Sequence, residues 1–310
     1  MFFDDRMNFL KKNVKQVLIE QARSAFPEIF TDIRQVGAIP RSEAERACRA
    51  ACQTVYLGDR LVLCRVLTKY LVYTDATDVS LTPHLCLDGF WEIWITQAFV
   101  RTIKPGAFCV DIGANHGYFS LLMADIAGSS GRLLAIEPNP KLSKLLSRTL
   151  EINGFQKTAT VSQNAVADVN GASVNLVVPS NHGGNASIIS EIFSEQTPED
   201  ETFSVETATL DELTKDWEQV DFVKIDAEGA EDAIWRGMRE TIGKNPQIIV
   251  VLEFASNRYK NPRGFLQDIL DADFSLRHID DDSEIKDLTL EQCLDERLKD
   301  FWMLFLRRDK

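Results

Sequence analysis

Three short segments hold the residues best suited to chemistry. The first is Val110-Asp111-Ile112-Gly113-Ala114-Asn115-His116-Gly117-Tyr118-Phe119. An apolar run enters a turn with two glycines four apart, and a helical pattern follows. Glycine lets such a turn bend sharply and approach a ligand closely. The second is Leu133-Leu134-Ala135-Ile136-Glu137, an apolar run ending in an acid. A carboxylate there can accept both hydroxyls of a ribose. The third is Lys224-Ile225-Asp226. Strand alternation sets Lys224 and Asp226 on one face. A charged pair on a buried strand is costly unless it is used or satisfied. Asp226 suits general-base work, with Lys224 orienting it or the molecule it acts on.

These segments need a scaffold, and the surrounding pattern supplies one. Apolar strands are expected at 107–112, 132–137, 158–166, 221–226 and 247–254, with helices at 118–127 and 141–153 between them. Continuous apolar strands separated by helices predict a parallel sheet covered on both faces. Residues 171–178 and 203–209 alternate like an inserted hairpin, and 179–202 between them reads as a loop over the sheet edge. Residues 274–279 and 301–308 read as an antiparallel hairpin closing the sheet. The fold class is therefore α/β, a Rossmann-like doubly wound sheet of about seven strands with an antiparallel C-terminal strand.

Before this core the sequence predicts a mostly helical extension over 1–80, with the catalytic domain spanning 81–310. Residues 8–26 space their apolar positions as one helix face, suited to docking on the domain, to a membrane surface or to a dimer contact. A second helix is expected from Ser42 to about Thr54, and short strands at 61–66 and 69–74. Residues 88–104 read as an aromatic amphipathic helix ended by Pro105-Gly106, so Trp91, Glu92 and Trp94 share it. Those side chains can bury the helix or line an acceptor pocket, since aromatics stack on sugar faces.

Two ligand classes compete for the glycine loop. A dinucleotide needs Gly-x-Gly-x-x-Gly, so that its pyrophosphate touches backbone at a helix N-terminus. Asn115 and Tyr118 stand where the second and third of those glycines would be. S-adenosylmethionine has no phosphate, and the wider turn with a carboxylate nearby suits its amino-acid end and sulfonium. The charge balance agrees. The 310 residues hold 34 Lys and Arg against 47 Asp and Glu, a net −13. Such a surface repels phosphate backbones, which argues against a nucleic-acid partner.

VDIGANHGYFSL, AIEPNP, TLDEL and DFVKIDAEGAE followed by PQIIVVLEF resemble the FkbM family of class I S-adenosylmethionine-dependent methyltransferases. The run from Lys224 to Glu231 is the most specific element, and the resemblance covers residues 85–255. It implies methyl transfer to a hydroxyl of a sugar, glycoconjugate or natural product. It implies that Asp111, Gly113, Asn115 and Gly117 hold the methionine end, that Glu137 holds the ribose, and that Asn164 and Ala165 lie near adenine. One departure stands out. The family often has a His soon after the acid of the fifth strand, whereas here Phe254 and Ala255 follow Glu253.

Alcohols are weak nucleophiles at neutral pH, so a base or a metal must take the proton. Besides Asp226, His182 in the inserted loop is a candidate base on loop closure. Trp91, Glu92 and Glu228 are candidate acceptor contacts. Asp226, Glu228 and Glu253 form an oxygen set that suits Mg²⁺, but such sets are common at strand ends, and no metal is expected. Asp226, Glu228 and Glu231 can also cap the next helix; capping or a surface role is preferred for Glu231. His116 is expected to pack against the cofactor, and His84 and His278 to be structural or exposed. The non-catalytic alternative is a binding module on the same fold; the other alternative is a nicotinamide-dependent oxidoreductase.

The six cysteines show no Cys-x-x-Cys pair and read as packing thiols in a reducing compartment. No apolar run reaches the roughly 20 residues of a membrane span. With Asp4, Asp5 and Arg6 at the start, the expected location is the cytoplasm. The expected partner is a small-molecule or glycan acceptor, with a homodimer as a further option.

Overall fold

A computed structural model describes residues 29–179, 187–188 and 200–309. The helix expected over 8–26 and the loop histidine His182 lie outside the described residues.

The N-terminal part begins with helices α1 (Arg34–Ala38) and α2 (Arg41–Ala51). An antiparallel sheet follows, of β1 (Thr54–Gly58), β2 (Leu61–Val66) and β3 (Tyr70–Asp75), with β2 in the centre. The expected extension is thus half sheet. β1 escaped the pattern because its residues are mostly exposed and do not alternate. The region then runs through α3 (Thr82–Leu87) and α4 (Ile93–Thr102).

The single helix expected over 88–104 is broken. Gly89 has φ 70° and Glu92 has φ 37°, so the chain turns twice in the left-handed region before α4 starts. Trp91 and Glu92 therefore sit in a connection, free of a helix face. Their apolar neighbours mimic helical spacing, and only the backbone angles reveal the break.

The core alternates as expected. It contains β4 (Phe108–Ile112), α5 (Tyr118–Ala127), β5 (Arg132–Ile136), α6 (Pro140–Ile152) and β6 (Ala159–Ser162). The inserted part comprises β7 (Ala165–Val166), β8 (Ser173–Val178), β9 (Ser187–Ile188) and β10 (Glu201–Ala208). β8 and β10 pair antiparallel from Glu201↔Val178 to Glu206↔Ser173, the predicted hairpin. After α7 (Leu210–Leu213) come β11 (Phe222–Ile225), α8 (Glu231–Arg236), α9 (Arg239–Lys244) and β12 (Ile249–Phe254). The end holds α10 (Pro262–Asp271), β13 (Phe274–Ser275), β14 (Arg277–Ile279), β15 (Ile285–Asp287), α11 (Leu290–Leu294) and β16 (Trp302–Arg308).

The large sheet has the order β15-β14-β16-β12-β11-β4-β5-β6, with β13 paired to β16. The strands from β6 to β12 are parallel and β16 is antiparallel to β12. This is a Rossmann-like α/β sheet. The two late segments pair antiparallel as expected: β13 and β14 both lie against β16, which inserts beside β12.

Each face of the sheet has its own apolar layer. One joins Val110, Val223, Trp235, Val250 and Leu266. The other joins Leu121, Leu133 and Phe222 with Phe30, Val36, Val62, Val72 and Phe99. The N-terminal residues thus share a core with the sheet. Phe99 meets Phe222 edge-on at 4.8 Å. Buried Gln97 on α4 donates to the carbonyls of Val36 (2.8 Å) and Ile39 (2.9 Å), fixing α1. β3 is tied to α6 by polar side chains: the amides of Leu71 and Tyr73 donate to Asn153 and Thr149, at 3.0 Å each. Among the described residues no helix is long and apolar enough to cross a membrane.

Candidate active site

A cleft opens at the carboxyl ends of β4, β5 and β11. This is where an open parallel sheet binds ligands. Its depth depends on the glycine loop. Gly113 has φ 73°, and a Cβ there would stand 1.8 Å from the carbonyl oxygen of Asp226. The amides of Gly113 and Ala114 both donate to the Ile136 carbonyl at 3.0 Å. The loop is therefore drawn between β5 and β11, at a distance only glycine permits. Gly117, at φ 93°, starts α5 against Leu146.

Glu137 lies at the end of β5, 5% exposed, and lines the cleft. One carboxylate oxygen accepts from the Asn115 amide (2.8 Å) and the other from the Asn139 amide (3.0 Å). A carboxylate has about four acceptor positions, so two remain for a vicinal diol. Burial pushes its pKa up to about 7, against the pull of those two amides. Asn164 and Ala165 also line the cleft, beside the inserted hairpin residue Leu176. The Asn164 amide donates to the Glu206 carbonyl at 3.2 Å.

Asp111 and Gly117 sit behind this lining. Asp111 is fully buried and accepts from the Ser120 hydroxyl at 2.6 Å; its other oxygen lies 3.7 Å from the Lys224 ammonium. Burial raises its pKa, and Lys224 and Ser120 oppose the shift. The structure thus places Asp111 where it supports the loop and Lys224. His116 is also fully buried and lines no part of the cleft. Neither of its ring nitrogens has a hydrogen-bond partner among the described residues. Burial lowers its pKa, against the pull of Asp78 and Asp75. His84 is exposed, its ring tilted against Trp91 with centroids 5.0 Å apart, and His278 is half-buried.

The opposite half of the cleft is charged. Lys224 is 2% exposed, with its ammonium 3.3 Å from Asp226 and over the Phe119 ring at 5.3 Å. Burial works against its charge, but Asp226 and Asp111 outweigh burial and the net shift is upward. Asp226, Glu92, Glu228 and Glu253 all line the same space. Burial, then the Asp226 charge, pushes Glu92 up to about 8 and Glu228 up to about 7. Glu253 shifts the same way for the same reasons, against Arg258.

Arg258 is the residue missing from the sequence reading. It bonds Glu253 and lies 3.1 Å from Glu228. It follows Glu253 by five positions, on a short turn that no periodicity marks. Two of the three oxygen-bearing residues considered for Mg²⁺ are thus paired to a guanidinium, and no metal-binding group is found among the described residues. Glu231 opens α8, yet it bonds the loop before the helix and caps none of the helix's own amides. It is fully buried and accepts from the amides of Ala227 (2.9 Å) and Gly229 (3.0 Å) and the Tyr259 hydroxyl (2.7 Å). It folds the loop after β11 back on itself, with Glu228 at φ 51° and Gly229 at φ 101°.

The residues present fit S-adenosylmethionine. A buried carboxylate with two spare acceptor positions faces a cleft rich in acids, which favours a sulfonium over a pyrophosphate. Several known proteins are similar to parts of this chain. A Protein-L-isoaspartate O-methyltransferase from Aeropyrum pernix is 34% identical over 58 residues, spanning 19% of this chain and 22% of that protein. An O-methyltransferase from Bacillus cereus, solved in complex with SAH, is similar at 14% identity, with TM-score 0.41 over 75% of this chain and 84% of that one. A Precorrin-6y C5,15-methyltransferase from Geobacter metallireducens GS-15 is similar at 11% identity, with TM-score 0.40 over 70% and 88%. The family model for the methyltransferase FkbM domain matches residues 111–293, from the glycine-loop strand through Arg258 to α11. That match takes in more than half of the chain, which therefore belongs to the methyltransferase FkbM domain family.

Proposed function

We propose that this chain transfers a methyl group from S-adenosylmethionine to a hydroxyl oxygen of a sugar, glycoconjugate or natural product. The observation that carries the reading is the division of one cleft into two halves: a diol-accepting carboxylate at Glu137 and a charged cluster at Asp226. When bound, S-adenosylmethionine supplies an electrophilic methyl on a sulfonium. Glu137 holds the ribose hydroxyls, and the backbone of Gly113, Ala114 and Asn115 shapes the floor. Asn164 and Ala165 border the base.

Asp226 takes the proton of the attacking hydroxyl. Lys224 fixes the direction of Asp226 through their 3.3 Å contact, so the acceptor meets a positioned base. Glu92, protonated near neutral pH by burial and by Asp226, donates a hydrogen bond that aligns the acceptor. Trp91 offers an apolar face beside it. Arg258 keeps Glu228 and Glu253 from repelling Asp226 further. Alignment is the main contribution, since it turns an encounter into a unimolecular step.

Calorimetric titration with S-adenosylhomocysteine, with NADH as control, tests the reading. Saturable binding of the first alone is expected. A mass-spectrometric screen of methyl glycosides and polyol acceptors should then show gain of one methyl per turnover. Absence of S-adenosylhomocysteine binding overturns the assignment.

A further inference from the structure

Three cysteines converge where β2 meets α3. Cys64 on β2 and Cys86 on α3 have their sulfurs 3.4 Å apart. Cys52 donates its thiol to the carbonyl of Cys86 at 3.2 Å. The Thr54 hydroxyl donates to the same carbonyl at 3.1 Å. Cys64 is buried, while Cys86 is half-buried and can be reached by a small oxidant.

The thiols differ in reactivity. The hydrogen bond between the Cys64 and Cys86 sulfurs holds the Cys86 thiol below its usual value, against burial. Burial pushes Cys48 and Cys293 up to about 12 and raises Cys109 as well. The thiolate is the reactive form, so Cys86 is the first site an oxidant should find.

We propose that Cys86 is an oxidation site, that Cys64 is its resolving thiol, and that their bond adjusts the cleft wall. With a peroxide as oxidant, the Cys86 thiolate attacks one peroxide oxygen. The O–O bond breaks, the leaving hydroxide takes a proton to become water, and Cys86 becomes a sulfenic acid. Cys64 then attacks the Cys86 sulfur and displaces hydroxide, which leaves as water with the Cys64 proton. Two thiols are oxidised to one disulfide and one peroxide is reduced to two waters.

The consequence follows from where α3 sits. Ser80 and Leu81 before it and Trp91 and Glu92 after it all line the cleft. A sulfur–sulfur bond is about 2.05 Å, so the pair must close by more than ~1 Å. β2 is held by ladders on both sides, to β1 and to β3. The six-residue α3 is the part that gives. Closing the pair pulls its flanking wall residues with it, and a shift of ~1 Å in a positioning wall can cost about 100-fold in rate. This inference goes beyond the proposed reaction and needs no known acceptor.

The reduced full chain is treated with hydrogen peroxide, alkylated and mapped by mass spectrometry. The expected result is a Cys64–Cys86 link, two hydrogens lighter and reversed by dithiothreitol. Cys64→Ser should leave a Cys86 sulfenic acid trapped by dimedone, and Cys52→Ser should leave the link intact. Amide exchange over residues 80–92 should change on oxidation, and S-adenosylhomocysteine affinity should fall by about tenfold or more. Free Cys64 and Cys86 after treatment, or a Cys52–Cys86 link instead, overturn the pairing. A correct link with unchanged exchange over 80–92 and unchanged affinity overturns its coupling to the cleft. If the reduced chain fails to bind S-adenosylhomocysteine, the methyl-transfer reading falls, while mapping and exchange still decide this one.

Discussion

Glu137 and Asp226 line the same cleft at two strand ends, and they are held in opposite ways. Glu137 is fixed by two backbone amides, from Asn115 and Asn139. Asp226 is fixed by a side-chain ammonium, with Glu228 and Glu253 tied next to it by Arg258. The first arrangement belongs to the turn itself and survives substitution of the amide-bearing side chains. The second depends on ions that one substitution removes. The division suits a constant ligand on one side and a variable one on the other.

Four experiments test this contrast. The largest effect is expected for Asp226→Asn, which should lower kcat by about 10²–10⁴ once an acceptor is found, the usual range for a lost general base. Retained S-adenosylhomocysteine binding in that variant would separate the two halves; unchanged kcat would remove Asp226 as the base.

Gly113→Ala attacks the junction between the halves. Its Cβ would strike the Asp226 carbonyl at 1.8 Å in a left-handed backbone, so a loss of roughly 3 kcal/mol in urea unfolding is expected. An unperturbed midpoint would mean that the loop can move away from β11.

Glu137→Gln tests the backbone-held side. Replacing a charged acceptor of two hydroxyl bonds should weaken S-adenosylhomocysteine by about 100-fold, with little change on the acceptor side. The wild-type affinity should also weaken as pH falls through about 7, where the carboxylate takes a proton. An affinity independent of pH would place the ribose elsewhere.

The smallest effect concerns Glu92. Its folded pKa, about 8, lies above its ordinary 4.5. The stability it contributes is fully present below the unfolded value and is lost as pH rises through about 8. Glu92→Gln should therefore flatten the fall in melting temperature between pH 5 and 8. It should raise stability at the upper end by on the order of 2 kcal/mol. A parallel fall in wild type and variant would exclude Glu92 as the group responsible.

The backbone-held half was legible in the sequence, because glycine spacing and a terminal acid on an apolar strand follow directly from strand and turn geometry. The parallel strands, the inserted hairpin and the pairing of Lys224 with Asp226 were legible for the same reason. The rest of the charge-held half was not. Arg258 reaches Glu253 and Glu228 from a turn with no period to betray it. Glu92 enters the cleft only because its backbone is left-handed, a conformation rarely adopted by glutamate and not signalled by its neighbours. Asp111 carried a loop motif's expectation, yet burial places it behind the residues that line the cleft. Motifs name residue types well; they do not say which side of a layer a side chain ends on.

The layer shared by Phe99 and Phe222 has a consequence for synthesis. The face of the sheet that covers the N-terminal residues is completed by a strand made more than a hundred residues later. At about 5–20 residues per second, the early segment waits on the order of ten seconds on the ribosome with its apolar side uncovered. A translating cell must shield that surface for the interval. A stalled or truncated chain ending before β11 would present it permanently, as a target for chaperones and proteases.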